Sequence, residues 1–134
     1  MTILLVDNDR NQHERFREMI RRIDPTHSCL KAFSTESALN SLQDGEITLP
    51  DLIFLDLEFR AGEGKQMLRY LKRSATLKNI PVCIYTNVMR DSDHEATQTL
   101  GAIGYIVKEA NLTNMLESIR SVIKSIGAST SMKQ

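Results

Sequence analysis

Five short apolar runs punctuate the chain, at residues 3–6, 29–33, 52–55, 82–85 and 103–107. Each is four or five residues long, and several are unbroken in Val, Ile, Leu and Phe. That makeup predicts strands covered on both faces. Between the runs the apolar positions change to helical spacing. Phe16, Met19, Ile20 and Ile23 fall at i, i+3, i+4 and i+7. Ala38, Leu39 and Leu42 form a shorter stripe, with Ser34 or Thr35 ahead of it as the N-cap. Met67, Leu68 and Leu71 form a third. Leu112, Met115, Leu116, Ile119, Val122 and Ile123 form the longest, with Asn111 placed to cap it. The segment 91–100 is thinner. Asp91, Ser92 and Asp93 suit a cap, but only Ala96 and Leu100 offer apolar contacts, which predicts a short, loosely held helix.

Chain breakers agree with this parsing. Asp24-Pro25 closes the first helix and Asp44-Gly45 the second. Pro50 precedes the third strand, and Pro81 opens the fourth, where a missing N–H is tolerated. The resulting order, βαβαβαβαβα, predicts one α/β domain: a parallel sheet with right-handed crossovers and helices on both faces. Residues 126–134 are small and polar and predict a flexible C-terminal tail on a domain of residues 1–125. So short a tail predicts that no output domain follows residue 125.

Charge narrows the function classes. Seventeen Lys and Arg balance seventeen Asp and Glu, so a nucleic-acid or membrane footprint of basic residues is not expected. No apolar run approaches the ~18 residues of a membrane span. The N-terminal run leads straight into Asp7 without the basic start or cleavage site of a signal peptide, which predicts a cytoplasmic protein. Cys29 and Cys83 sit inside apolar runs and read as buried thiols.

In a doubly wound sheet, ligands gather beyond the carboxyl ends of the strands. Asp7-Asn8-Asp9 follows the first run, and Asp56-Leu57-Glu58 follows the third. Thr86-Asn87 follows the fourth and Lys108-Glu109 the fifth, whereas Phe33-Ser34-Thr35 after the second is chemically plain. If the first and third strands are neighbours, Asp7 and Asp56 lie close and repel unless a proton or cation intervenes. Oxygen donors without His or Cys suit Mg²⁺. A Lys and a Thr hydroxyl opposite them suit phosphoryl oxygens, with an Asp as nucleophile.

The segments that carry this chemistry are Ile3-Leu4-Leu5-Val6-Asp7, Pro50-Asp51-Leu52-Ile53-Phe54-Leu55-Asp56-Leu57 and Gly62-Glu63-Gly64. Pro81-Val82-Cys83-Ile84-Tyr85-Thr86 and Gly101-Ala102-Ile103-Gly104-Tyr105-Ile106-Val107-Lys108 complete the set. In order and spacing, from about residue 2 to residue 125, the chain resembles the receiver domain of two-component response regulators. The resemblance implies a flavodoxin-like, three-layer α/β/α fold with strand order 2-1-3-4-5. It implies a single-domain signalling switch rather than an enzyme, with Asp56 accepting a phosphoryl group from a sensor histidine kinase or phosphotransfer protein. It places Asp7 at the metal site, with Asn8 beside it, and assigns the Glu58 backbone carbonyl to Mg²⁺. Thr86 matches the switch hydroxyl, Lys108 the lysine that pairs with the phosphoryl group, and Tyr105 the aromatic that follows the threonine. The output partner is a downstream protein that the sequence does not name. With that strand order, Cys29 and Cys83 stand three strand steps apart, about 14 Å at ~4.8 Å each, too far for a disulfide.

Five positions depart from the family pattern. Asn8 stands where a second acid is usual, which removes one negative charge and predicts weaker Mg²⁺ binding, unless the Glu58 side chain turns inward to compensate. Asp9 is expected to cap the first helix. Phe59-Arg60 replaces a Met-Pro pair, and Glu109 replaces a proline, so a trans peptide is expected after Lys108. Asn87 is larger than the usual residue at the pocket mouth.

Other features carry plainer expectations. His13, His27 and His94 read as solvated surface residues. Arg10, Arg15, Arg17, Arg21 and Arg22, interleaved with Glu14, Glu18 and Asp24, read as a solvated helix face, although the resemblance gives that helix a part in kinase docking. Tyr85 reads as a strand residue. The alternatives are a degenerate receiver that binds partners without phosphorylation, and a small aspartate-nucleophile phosphatase echoed by Asp56-Leu57-Glu58. A flavin binder is disfavoured, because the acidic loop at residues 7–10 would repel a flavin phosphate.

Overall fold

The computed structural model describes residues 1–45 and 47–132. The apolar runs become strands β1 (Thr2–Val6), β2 (Ser28–Ala32), β3 (Leu52–Leu55), β4 (Val82–Thr86) and β5 (Gly104–Val107). They alternate with helices α1 (Arg10–Ile23), α2 (Thr35–Asp44), α3 (Glu63–Arg73), α4 (Asp91–Thr99) and α5 (Leu112–Met132), and a 3₁₀ turn, Arg60–Gly62, precedes α3. All strands are parallel, in the order β2-β1-β3-β4-β5.

Because successive side chains on a strand point to opposite faces, each continuous apolar run feeds two cores. Ile3, Leu5, Phe54, Cys83, Tyr85 and Ile106 pack with Phe16, Met19 and Ile20 of α1 and Met115, Ile119 and Ile123 of α5. Leu4, Val6, Ile53, Leu55, Val82 and Ile84 pack with Ala38 and Leu42 of α2 and Met67, Leu68 and Leu71 of α3. The result is the α/β/α sandwich the pattern predicts. Both cysteines are free, with β1 and β3 lying between their strands. Burial pushes the Cys83 thiol up to about 12.

Capping explains the helix starts. The Asp9 carboxylate accepts from the Asn11 N–H, Ser34 from Ser37 N–H, and Asn111 from Asn114 N–H. Gly45 closes α2 at φ 71°, a left-handed conformation that favours glycine.

Four expectations need correction. β2 stops at Ala32 rather than Phe33, because its partner β1 ends at Val6 and leaves the next residue no rung. Residue 103 likewise precedes β5, and its side chain is exposed. The acids at the start of α4 do not cap it: the cap position is Arg90, with no side-chain cap bond. Asp93 is instead buried, 2.5 Å from Lys65 of α3 and 3.5 Å from Arg90. The Lys65 hydrogen bond holds its carboxyl below the usual range. A helix with few apolar contacts is thus fastened by an ion pair. Lastly, α5 continues through residues 126–132, where a tail was expected. Once nucleated, a helix gains one hydrogen bond for each further residue it fixes. Residues 133 and 134 lie outside the described residues.

Gly64 marks a close approach. A Cβ there would lie 2.9 Å from both the Asp56 carbonyl oxygen and the Leu57 Cα. Gly64→Ala is expected to destabilise the protein by roughly 1–3 kcal/mol in urea unfolding. Gly127→Ala, which meets no neighbour within 4 Å, should instead stabilise by up to about 1 kcal/mol. Equal, near-zero effects would show that the junction of β3 and α3 has slack.

Candidate functional site

The site is assembled by extending the ladder one residue past the strands. Asp7 N–H donates to Ala32 O at 3.1 Å, Asp56 N–H to Val6 O at 3.0 Å, and Lys108 N–H to Thr86 O at 2.7 Å. These rungs fix the backbones of Asp7, Asp56 and Lys108 just beyond their strands, beside Thr86, the last residue of β4. Since β1, β3, β4 and β5 are consecutive in the sheet, the four residues meet at one edge.

Their side chains converge. Lys108 Nζ lies 2.6 Å from Asp7 Oδ2 and 3.1 Å from Asp56 Oδ2. Thr86 Oγ1 donates to Asp56 Oδ1 at 3.0 Å. The backbone N–H of Asp9 donates to Asp7 Oδ1, and that of Glu58 to Asp56 Oδ1, both at 2.9 Å. Asp7 is 0% exposed, Asp56 and Thr86 2%, and Lys108 8%. Burial raises the pKa of Asp7, against the opposing pull of the Lys108 hydrogen bond and the Asp9 N–H. Two carboxylates share one ammonium, so with both ionised a negative charge is left over in a dry place, where unpaired charge is costly.

That excess suits a hard cation. Asp7 and Asp56 offer carboxylate oxygens, Glu58 a backbone carbonyl and Asn8 an amide oxygen, the all-oxygen donor chemistry that Mg²⁺ accepts. Among the described residues, no three His, Cys, Asp or Glu side chains cluster into a metal site on their own.

The remaining residues expected at the site lie at its margin. Asn8 is exposed. The Glu58 side chain does not turn inward. It is exposed, and its Oε2 accepts from Asn87 Nδ2 at 2.9 Å, linking the loops after β3 and β4 across the pocket mouth. Tyr105 is half-buried, and its hydroxyl donates to Val88 O at 2.9 Å.

Two residues at the site were not foreseen. His13, expected at the surface, is buried, and its Nε2 lies 2.8 Å from Asp7 O. The signal was available, since His13 precedes Phe16 by three and Ile20 by seven, on the buried stripe of α1. Tyr85 is more than a strand residue, because Lys108 Nζ lies 5.3 Å from its ring centroid, within cation–π range. Its hydroxyl has no hydrogen-bond partner among the described residues, and burial pushes its pKa up to about 12. His27 is half-buried against the N-terminal amine, whereas His94 is exposed beside the Tyr105 ring.

Comparison with known proteins adds independent observations. The family model described as the response regulator receiver domain matches residues 3–120. The polar-differentiation response regulator DivK of Brucella ovis is 25% identical over 122 residues, covering 91% of this chain and 95% of DivK. The phosphorylated cyanobacterial phytochrome response regulator RcpA superposes with a TM-score of 0.80 at 25% identity, over 90% of this chain and 89% of that one. The Mn²⁺-bound form of response regulator Rcp1 superposes at 0.74 with 24% identity, over 90% of both chains. No helix among the described residues is long and apolar enough to cross a membrane.

The shared ammonium generates a stability prediction. Lys108→Met strands two buried carboxylates and should cost about 3–5 kcal/mol near pH 7. In the variant the Lys108 hydrogen bond that lowers the pKa of Asp7 is gone while burial still raises it, so the folded state binds more protons. Its deficit against the unsubstituted protein must therefore shrink as pH falls toward 4.5. Urea unfolding at both pH values checks this, and a pH-independent deficit would contradict it.

Proposed function

The chain belongs to the receiver domains of two-component response regulators, and from that premise we propose that it is a phosphorylation switch with Asp56 as the phosphoacceptor. The donor is a phosphohistidine on a sensor histidine kinase or phosphotransfer protein. One observation carries this reading: a buried carboxylate, flanked by a second acid, meets an ammonium and a hydroxyl at the end of the sheet.

In the transfer step an Asp56 carboxylate oxygen forms a bond to phosphorus, while the bond from phosphorus to the donor imidazole nitrogen breaks and the imidazole takes up a proton. Lys108 offsets charge on the phosphoryl oxygens, and Thr86 Oγ1 donates to one of them. Tyr85 supports the ammonium from beneath, and His13 holds the Asp7 backbone. Asp7, Asp56, the Glu58 carbonyl and the Asn8 amide would hold Mg²⁺, which when bound supplies further positive charge for the phosphoryl oxygens. With Asn8 in place of an acid, that binding is weak.

The output follows the covalent path from Thr86. Two residues on, the Val88 carbonyl holds the Tyr105 hydroxyl, so a shift of Thr86 toward a phosphoryl oxygen pulls on Tyr105 and on the segment leading into α4. The population then moves toward a state with a changed surface over α4, β5 and α5, read by a partner protein. The place of action is the cytoplasm.

Incubation with acetyl phosphate and Mg²⁺, followed by intact-mass spectrometry, should add one phosphoryl group. Asp56→Asn should remain unmodified. No uptake by the unsubstituted chain would leave a receiver that binds without phosphorylation, and steady turnover of a phosphate ester abolished in Asp56→Asn would point to the phosphatase alternative. Asn8→Asp should tighten Mg²⁺ by about tenfold, or about 1.4 kcal/mol, in a calorimetric titration, and equal affinities would count against a metal role for position 8.

A further inference from the structure

Helix α1 carries two charged flanks with different surroundings. Arg10, Glu14, Arg17 and Arg21 follow one another at helical spacing and form a single ridge on one side of the buried stripe. Arg15 and Arg22 lie on the other side, where Arg15 donates to Glu109 O at 2.5 Å. The first ridge looks onto β2, the terminal strand of the sheet. A groove of about 640 Å³ runs between them, with Cys29 and Phe33 contributing its apolar wall and Lys31 its far bank.

Three features of this groove call for an occupant. Arg10, Arg17 and Lys31 are exposed and take part in no ion pair among the described residues. Glu14 is the one acid on the walls, although the chain as a whole is neutral. Phe33 is 41% exposed, with the His13 ring at 4.6 Å from its centroid on the helix side and the Arg10 guanidinium over it at 5.9 Å. And among the described residues β2 pairs with β1 alone, so its outer edge presents unpaired backbone N–H and C=O groups.

We propose that the groove between α1 and β2 is a docking site for an extended acidic peptide segment of a partner protein. The peptide adds to the open edge of β2, its carboxylates face Arg10, Arg17 and Lys31, and an apolar side chain rests on Cys29 and Phe33. This is strand addition with charge-selected side chains. Length favours a peptide over a compact anion. From Arg10 to Arg21 the ridge spans roughly 16 Å at ~1.5 Å per residue, the reach of about five extended residues at ~3.3 Å each. A lone phosphate would engage one end of it. An open strand edge offers backbone hydrogen bonds that a peptide can return and a nucleic acid cannot. The site does not depend on phosphorylation of Asp56.

The test titrates the ¹⁵N-labelled full chain with an end-capped hexapeptide of alternating glutamate and leucine or phenylalanine. Saturable amide shifts should concentrate in β2 and at Phe33, with a sub-millimolar Kd that weakens with salt. Arg17→Glu combined with Lys31→Glu should weaken binding by about tenfold or more. Arg22→Glu, on the opposite flank, should leave it unchanged, and thermal melts of the variants confirm that each folds. Absence of saturable binding, shifts centred elsewhere, equal binding by the double variant, or equal binding of a hexapeptide with lysine in place of glutamate would each overturn the proposal. So would saturation of the same amides by inorganic phosphate alone, which would make the groove a small-anion site, or tighter binding of a short single-stranded DNA.

Discussion

One ammonium between two buried carboxylates organises this molecule. Lys108 reaches Asp7 and Asp56 together, which ties three strands of the sheet at their carboxyl ends. The arrangement is compact but incompletely neutralised, and that incompleteness is its chemical use. A fully neutral pocket would have no affinity for a cation, and an unpaired one would cost the fold several kcal/mol. Tyr85 of β4 under the ammonium and His13 of α1 behind the Asp7 backbone show that this corner is supported by the sheet and by the helix packed on it.

Much of this was legible in the chain. Apolar runs of four or five residues specify strands covered on both faces, and the alternation with helical stripes specifies the crossovers. Asp7, Asp56, Thr86 and Lys108 could be placed at one edge because each stands at or just beyond the end of a run. What the sequence concealed were tertiary pairings. Asp93 resembles a cap residue locally, and its partner Lys65 is brought to it by the packing of α3 beside α4. Glu58 resembles a spare metal ligand until Asn87, on another loop, takes its carboxylate. Phe33 reads as the end of a strand, because nothing local reveals that its partner strand has already stopped. His13 is different: its polar ring suggests the surface, yet its spacing from Phe16 and Ile20 places it on the buried stripe.

The two loops after β3 and β4 carry opposed tendencies. The Glu58–Asn87 hydrogen bond closes them together at the mouth, while the thin apolar anchorage of α4 leaves the following helix dependent on a single cluster of charges around Asp93. Segments with few apolar contacts are where local rearrangement costs least. A switch built here needs only a modest change at Thr86 to alter a surface some residues away, and the hydroxyl already rests on the Asp56 carboxylate.

The most direct measurement is an amide spectrum of the full chain with and without beryllofluoride and Mg²⁺, which together mimic a phosphoryl group on an aspartate. The account predicts saturable shifts at Asp56, Thr86 and Lys108 that extend through Val88 to Tyr105 and α4. A spectrum unchanged at saturating beryllofluoride, or one altered only at distant surface residues, would contradict it.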